Sequence, residues 1–309
     1  MTKQDWQIRA LAIPPLDPVW REKARQRLKE QTRPEKSLGA LETILERLVA
    51  IQKKDRPGVS KKRVVVFAAD HGVEAEGVSL FPRQVTPAMV TNFLAGGATI
   101  NAFARSVGAE VQVVDMGVDH DFGNSPGLLS RKVRRGTSNI KTGQAMTEPE
   151  LIQALGAGWE MAYQAKQDGV ELVGVGEMGI ANTTAASAVM AALTKAEPGR
   201  VTGRGTGLND AMLEHKIRVI EEAIQANLPF LTDPFSILQS LGGFEIAAIT
   251  GFVMGAASER IPCIVDGWIA SAGALVPIHL NPAILDYLFF AHESEERGHR
   301  IILEELDVQ

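Results

Sequence analysis

The sequence predicts an α/β protein: a largely parallel sheet flanked by helices, with a smaller helical lobe near its start. Three observations carry that expectation. The run Val64-Val65-Val66-Phe67-Ala68-Ala69 is apolar without a break, which suits a strand covered on both faces, as parallel strands are. Further apolar runs recur between stretches with helical spacing, and such alternation calls for right-handed crossovers between parallel strands. Asp70-His71-Gly72 and Gly176-Glu177-Met178-Gly179 stand at the ends of two of these runs. Ligands of open α/β folds collect beyond the carboxyl ends of strands, so these turns mark a candidate site.

In chain order, residues 1–9 are polar and lack the apolar core of a signal segment. Residues 11–18 are proline-rich and extended. A helix is expected over 19–30, and after the break at 33–39 a second, with Leu41, Ile44, Leu45 and Leu48 on one face. These helices form the smaller lobe, residues 1–60, ahead of a large domain over 61–290. Residues 53–63 read as a solvated connection to the first strand. Residues 77–86 are irregular, shaped by Phe81 and Pro82, and Met89, Val90, Phe93 and Leu94 then open a helix that Gly96-Gly97 ends. A helix at 99–107, a strand at 111–115, a polar loop to 124 and a long helix from 147 to 167 follow. The next expected elements are a strand at 169–176, an alanine-rich helix at 185–195 and a helix at 208–226. A short helix at 235–241 precedes a small-residue helix at 246–257. A strand at 262–266, a helix at 268–275, a strand at 287–290 and a helix after His299 complete the order.

The chain of 309 residues, 45% hydrophobic and 22% charged, is long enough for a well-packed core and unlike a disordered chain. A formal net charge of −5 gives no general pull toward nucleic acid or an anionic membrane. Cys263 is the single cysteine, so an intrachain disulfide and a multi-cysteine metal site are excluded; the composition fits a reducing cytoplasm. Gly251 and Gly255 interrupt the most apolar late segment, which falls short of a membrane span. His120 and its neighbouring aspartates read as a solvated loop before a metal site. No metal or cofactor is expected.

The segment from Val173 to Leu208 carries the chemistry. An apolar strand leads into Gly-Glu-Met-Gly, then Asn182-Thr183-Thr184, a small-residue helix and Gly203-Arg204-Gly205-Thr206-Gly207. Its glycine spacing is not the dinucleotide fingerprint. Backbone N–H groups at the start of the helix can receive a phosphate, with hydroxyls as further donors, or the turn simply caps the helix. Glu177 at the strand end can bond ribose hydroxyls or stabilise positive charge at a sugar carbon; its alternative is to satisfy backbone donors. Lys216 offers charge for a phosphate or faces solvent. Arg204 reads as a turn residue facing water, and His71 as either a site residue or a locally bonded one. In His292-Glu293-Ser294-Glu295-Glu296-Arg297-Gly298-His299, Ser294 can donate to phosphate, whereas the acidic residues would repel it unless turned away.

Together RPEKSLGALE, FAADHGVEAEGVS, FPRQVTPAMVTNFLAGGATIN, GEMGIANTTAASA, GRGTGL, DPFSILQSLGGFEIAAITG and HESEERGH resemble the nicotinate-nucleotide:dimethylbenzimidazole phosphoribosyltransferase family over nearly the whole chain. The resemblance implies a soluble homodimer whose smaller lobe takes residues from both chain ends, here 1–60 and 291–309. It implies phosphoribosyl transfer from nicotinate mononucleotide to 5,6-dimethylbenzimidazole. The products would be nicotinate and α-ribazole 5′-phosphate, an intermediate for the lower ligand of cobalamin. It assigns Glu177, Gly179, Ile180, Asn182, Lys216 and Ser294 to the nucleotide, and Ser79, Phe81 and Gln84 to the benzimidazole.

Two residues depart from the family pattern: Ala181 stands where glycine is frequent and Arg297 where proline is usual. The sequence as given also ends at Gln309, before an LGEG-type motif whose glutamate serves the family as base. The expectation that follows is impaired catalysis, Glu177 as the nearest substitute base, and apolar surface laid bare where a terminal helix packs. A nonenzymatic nucleotide or benzimidazole binder is the alternative, and a weakly folded remnant a third.

Overall fold

The computed structural model describes residues 1–205 and 207–308; Thr206, inside the second glycine turn, and Gln309 lie outside the described residues. Six strands form one sheet: β1 (Lys62–Ala69), β2 (Ala109–Gly117), β3 (Leu128–Ser130), β4 (Leu172–Met178), β5 (Cys263–Val265) and β6 (Leu288–Phe290). Every pairing is parallel, in the order β3-β2-β1-β4-β5-β6. The helices are α1 (Lys3–Leu11), α2 (Pro18–Lys29), α3 (Ala40–Gln52), α4 (Val85–Leu94), α5 (Thr99–Val107), α6 (Glu148–Gln167), α7 (Asn182–Thr194), α8 (Pro198–Val201), α9 (Asp210–Asn227), α10 (Pro234–Leu241), α11 (Phe244–Ser258), α12 (Trp268–Leu280) and α13 (Arg297–Glu305).

The two faces of the sheet differ. Val65 and Phe67 of β1 and Val173 and Val175 of β4 are buried on the face that α11 covers. Phe67 meets Phe252 of α11 edge to face, with centroids 5.8 Å apart. Behind it α11 packs on α6 so closely that a Cβ on Gly158 would fall 1.8 Å from the Ala248 carbonyl oxygen. On the opposite face α4 and α5 cover only part of the sheet. An apolar groove of about 470 Å³ runs beside them over Val64, Val66, Gly174, Gly176 and Ile264.

The first residues are more ordered than their polarity suggests. Thr2 and Asp5 cap α1 reciprocally: the Asp5 N–H donates to Thr2 Oγ1 (3.2 Å) and the Thr2 N–H to Asp5 Oδ2 (2.7 Å). Trp6 is buried against Trp159. The proline-rich stretch that follows is held by side chains near the far end of the chain: Asn281 donates to the Ala10 and Ile13 carbonyls, and Tyr287 to that of Pro14. Helices α2 and α3 pack on each other, while α13 rests on α8 and α12. The strand β3 was hidden by its length of three residues. The helix expected to stop at Leu275 continues through Pro277 to Leu280.

The α6–α11 contact generates the first test. Gly158→Ala inserts a methyl group against backbone that cannot rotate away, and is expected to destabilise the fold by roughly 3 kcal/mol. Urea denaturation followed by circular dichroism checks this; a midpoint equal to wild type would show that the two helices are not in backbone contact.

Candidate active site

The order of the sheet reverses between β1 and β4. From β1 the chain builds outward through β2 and β3, then returns to add β4, β5 and β6 on the other side. Beyond the carboxyl ends of these two central strands lies the crevice that doubly wound sheets use for ligands. The turn after β1 supplies Asp70 and His71, and the turn after β4 supplies Gly179 to Ala181. The two turns touch: a Cβ on Gly179 would sit 2.3 Å from the Ala69 carbonyl oxygen, so only glycine fits. Thr86, buried in the first turn of α4, accepts the Ile180 N–H at 3.1 Å. That N–H, one of those the sequence offered to a phosphate, is thus already engaged.

Ala181 then turns the chain into α7 with φ +70°, the left-handed region. An L-residue is strained there by about 1–2 kcal/mol, which explains why glycine suits this position. Asn182 opens α7, and its side-chain amide donates to the Glu177 carboxylate across the turn. That carboxyl group is half-buried at the strand end. Burial, and next the charge of Glu245, push its pKa up to about 8, Asn182 opposing the rise. Glu245 lies in the first turn of α11, fully buried, 2.5 Å from His71 Nε2. His71 is therefore paired in the interior, on the floor of the crevice.

A small cavity of about 40 Å³ adjoins Asn182. Ser79, Gly179, Ile180, Ala181, Asn182, Thr183, Arg204, Gly205 and Lys216 contribute to its wall. At roughly 10–15 Å³ per water, that is the space of a compact oxyanion. Lys216 of α9 is fully buried, and its ammonium donates to Thr183 Oγ1 at 2.8 Å and to the Gly203 carbonyl at 3.4 Å. Burial lowers its pKa to about 8, with Glu296 acting in the opposite direction. It is chiefly cationic at neutral pH. Arg204 closes the glycine turn by donating to the Leu208 carbonyl (2.6 Å) and pairing with Asp210.

Ser294 is fixed by His299. The Ser294 N–H donates to His299 Nδ1 at 2.9 Å, leaving Nε2–H to donate to Ser271 Oγ, also at 2.9 Å. Burial, with His292 nearby, lowers the His299 pKa to about 4, so the ring is neutral in this role. Ser294 Oγ accepts the Glu296 N–H, and its own proton stays available to a ligand.

The structure thus brings Ser79, Gly179, Ile180, Asn182 and Lys216 into one cavity, with Glu177 at its side and Ser294 on an adjoining segment. Phe81 is half-exposed, and neither it nor Gln84, which precedes α4, lines that cavity. Glu177 and Asp266 also stand at the end of the 470 Å³ groove, but the rest of that groove is lined mostly by apolar residues of the sheet, α4 and α5. The smaller cavity, where a buried ammonium, a hydroxyl and backbone N–H groups converge, is the candidate site. Sequence reasoning passed over Thr86 and Glu245. For Glu245 a signal existed: it is the one charged residue within the apolar helix from Phe244 to Ser258. His120 of the loop after β2 stacks edgewise on Phe122 at 4.8 Å. Among the described residues, no group of three or more His, Cys, Asp or Glu is gathered for a metal.

Comparison with known proteins gives the class to which this open α/β crevice, with its buried lysine, glycine turn and strand-end glutamate, belongs. The profile of the family described as Phosphoribosyltransferase matches residues 13–309. A nicotinate-nucleotide–dimethylbenzimidazole phosphoribosyltransferase of Chlorobium chlorochromatii is 51% identical over 298 residues, 96% of this chain and 84% of the relative. That of Geobacter sulfurreducens is 52% identical over 95% of this chain and 84% of its own length. The crystal structure of CobT from Thermus thermophilus superposes with a TM-score of 0.90 at 43% identity, covering 94% of this chain and 87% of that one. The chain belongs to the nicotinate-nucleotide–dimethylbenzimidazole phosphoribosyltransferase family.

The shifted acid yields a pH test. Glu177 has a folded pKa of about 8 against an ordinary 4.5, so between these values the unfolded chain holds fewer protons than the native one. Its contribution to stability therefore falls as pH rises through that window. Glu177→Gln removes the ionisation and keeps an acceptor for Asn182. It is expected to flatten that decline and to be more stable than wild type by roughly 2–4 kcal/mol at pH 8.5. Thermal melts of both proteins from pH 5 to 8.5 check this; parallel curves would mean that Glu177 ionises normally.

Proposed function

We propose that this chain transfers phosphoribose from nicotinate mononucleotide to 5,6-dimethylbenzimidazole, giving nicotinate and α-ribazole 5′-phosphate. Family membership supports the reaction class, and one observation supports the placement of the nucleotide. A buried, mostly cationic Lys216 shares a small cavity with the glycine turn and the start of α7, beside Glu177. A buried ammonium with only hydroxyl and carbonyl partners gains most from an anion. The 5′-phosphate would be held by Lys216, Thr183 and Ser294, placing the ribose toward Glu177.

The residues divide the work as follows. In the substrate the pyridinium nitrogen is bonded to C1′ of ribose. That bond breaks with its electron pair leaving on nicotinate, and a benzimidazole nitrogen forms the new bond to C1′. The leaving group is already cationic, so departure needs no acid. The cationic ring favours the ionised form of Glu177, which then bonds a ribose hydroxyl and faces the positive charge growing at C1′. Fixing the phosphate holds C1′ in line with the incoming nitrogen. The benzimidazole N–H proton must pass to an acceptor, and a positioned one is worth about 10²–10⁴ in rate. Glu177 is largely protonated at neutral pH before substrate arrives; once the cationic ring has favoured its ionised form, Glu177 or solvent water takes that proton, and turnover by this chain is expected to rise toward pH 8. Ser79, Phe81 and Gln84 would line the approach of the flat base.

The working unit we propose is a cytoplasmic homodimer. Phe103 and Val107 of α5, both large apolar side chains facing solvent, support such an interface. No helix is long and apolar enough to cross a membrane among the described residues. We also propose the division into a large domain at 61–290 and a lobe from 1–60 and 291–309; the packing of α2 on α3 supports its helical start.

Incubation with both substrates, read by mass spectrometry, is expected to yield α-ribazole 5′-phosphate. Lys216→Met is expected to raise KM for nicotinate mononucleotide about 10- to 100-fold, the loss of one or two charge-assisted bonds, and to leave the response to benzimidazole unchanged. Binding of both substrates without product would instead identify a nonenzymatic binder. An unchanged nucleotide KM in the variant would remove the phosphate from this cavity.

A further inference from the structure

Glu296 is the residue before the first turn of α13, where a carboxylate ordinarily caps its own helix. Here it makes no such bond. Its side chain reaches across to the second glycine turn, where Oε1 accepts the Gly205 N–H at 2.6 Å. Its other oxygen, Oε2, is buried without a hydrogen-bond partner, packed against the Gly203 backbone. Gly205 and Lys216 are neighbours: a Cβ on Gly205 would lie 3.4 Å from Lys216 Nζ and 3.2 Å from Thr183 Oγ1. An acidic side chain thus occupies the edge of the pocket that gathers an N–H, an ammonium and a hydroxyl.

We propose that Glu296 is a resident stand-in for the substrate's phosphate, holding the glycine turn and Lys216 ready and leaving Gly205 when the nucleotide arrives. The inference rests on the reading of this cavity as the phosphate site and adds the residue that competes for it. A carboxylate and a phosphate cannot share one donor set without strong repulsion. The exchange is favourable because the incoming group offers more acceptor oxygens to the same donors, and because the unpartnered Oε2 regains solvent. Glu296 also accounts for how a fully buried lysine is tolerated in the empty site, since its charge supports the ammonium against burial. Ser294 stands beside the exchange: its Oγ accepts the Glu296 backbone N–H, and its own proton is free to meet the incoming anion. The segment then sets affinity by competition, making the site selective for ligands whose anion is strong enough to displace a carboxylate.

The test is calorimetric titration of wild type, Glu296→Gln and Glu296→Ala with inorganic phosphate and with nicotinate mononucleotide. Both variants are expected to bind each ligand at least 10-fold more tightly than wild type. Wild-type binding that both variants match or fall below would overturn the proposal while leaving the phosphate site standing. Absence of binding by all three proteins would reject the site itself, and the proposal with it. A second measurement needs no variant to fold. In carbon-detected NMR of the native chain, the Glu296 carboxyl resonance is expected to move as nicotinate mononucleotide saturates; a static resonance during saturation contradicts displacement.

Discussion

The hydrogen bond from Asn182 to Glu177 joins the last residues of a central strand to the first residue of the helix that follows. Much of the site is arranged about that bond. It clamps the turn in which Ala181 takes a left-handed conformation. It also brings a carboxyl group to the mouth of the crevice between β1 and β4. The neighbouring constraints act on the same turn from other sides: Thr86 takes the Ile180 N–H, and the Ala69 carbonyl leaves room only for glycine at 179. A turn held from three directions can present side chains to a ligand without reorganising.

The site also concentrates buried charge. Glu177 and Glu245 stand within range of each other, Glu245 is paired with His71, and Lys216 is fully enclosed. Burying one charged group costs several kcal/mol unless partners compensate, so such a cluster would weaken a fold that made no use of it. A nucleotide carrying a phosphate at one end and a cationic ring at the other matches the two unbalanced positions in sign. In the proposed reaction the phosphate would answer Lys216 and the ring Glu177. The empty protein bridges the deficit by protonating Glu177 and by leaning Glu296 toward Lys216.

The sequence displayed the sheet because a strand buried on both faces leaves an unbroken apolar run, as at 64–69, which periodicity cannot disguise. It displayed Glu177, Gly179 and Asn182 because polar groups directly after such a run have few structural reasons to be there. Burial of Lys216 was not legible: in an amphipathic helix, a lysine facing a cavity has the same spacing as one facing water. Thr86 and Glu245 act across distances of 94 and 174 residues, and no local pattern reports a partner so far away. The first helix was missed for a compositional reason, since one buried tryptophan among polar neighbours carries its packing. The three-residue edge strand β3 is too short to show a period.

A crystal structure of the chain with nicotinate mononucleotide tests the central claim most directly. The account places a phosphate oxygen within 2.7–3.2 Å of Lys216 Nζ, and a ribose hydroxyl within the same reach of Glu177. A nucleotide lying along the open face of the sheet, over Val64 and Gly174, with Lys216 still bonded only to Thr183 and Gly203, would contradict it.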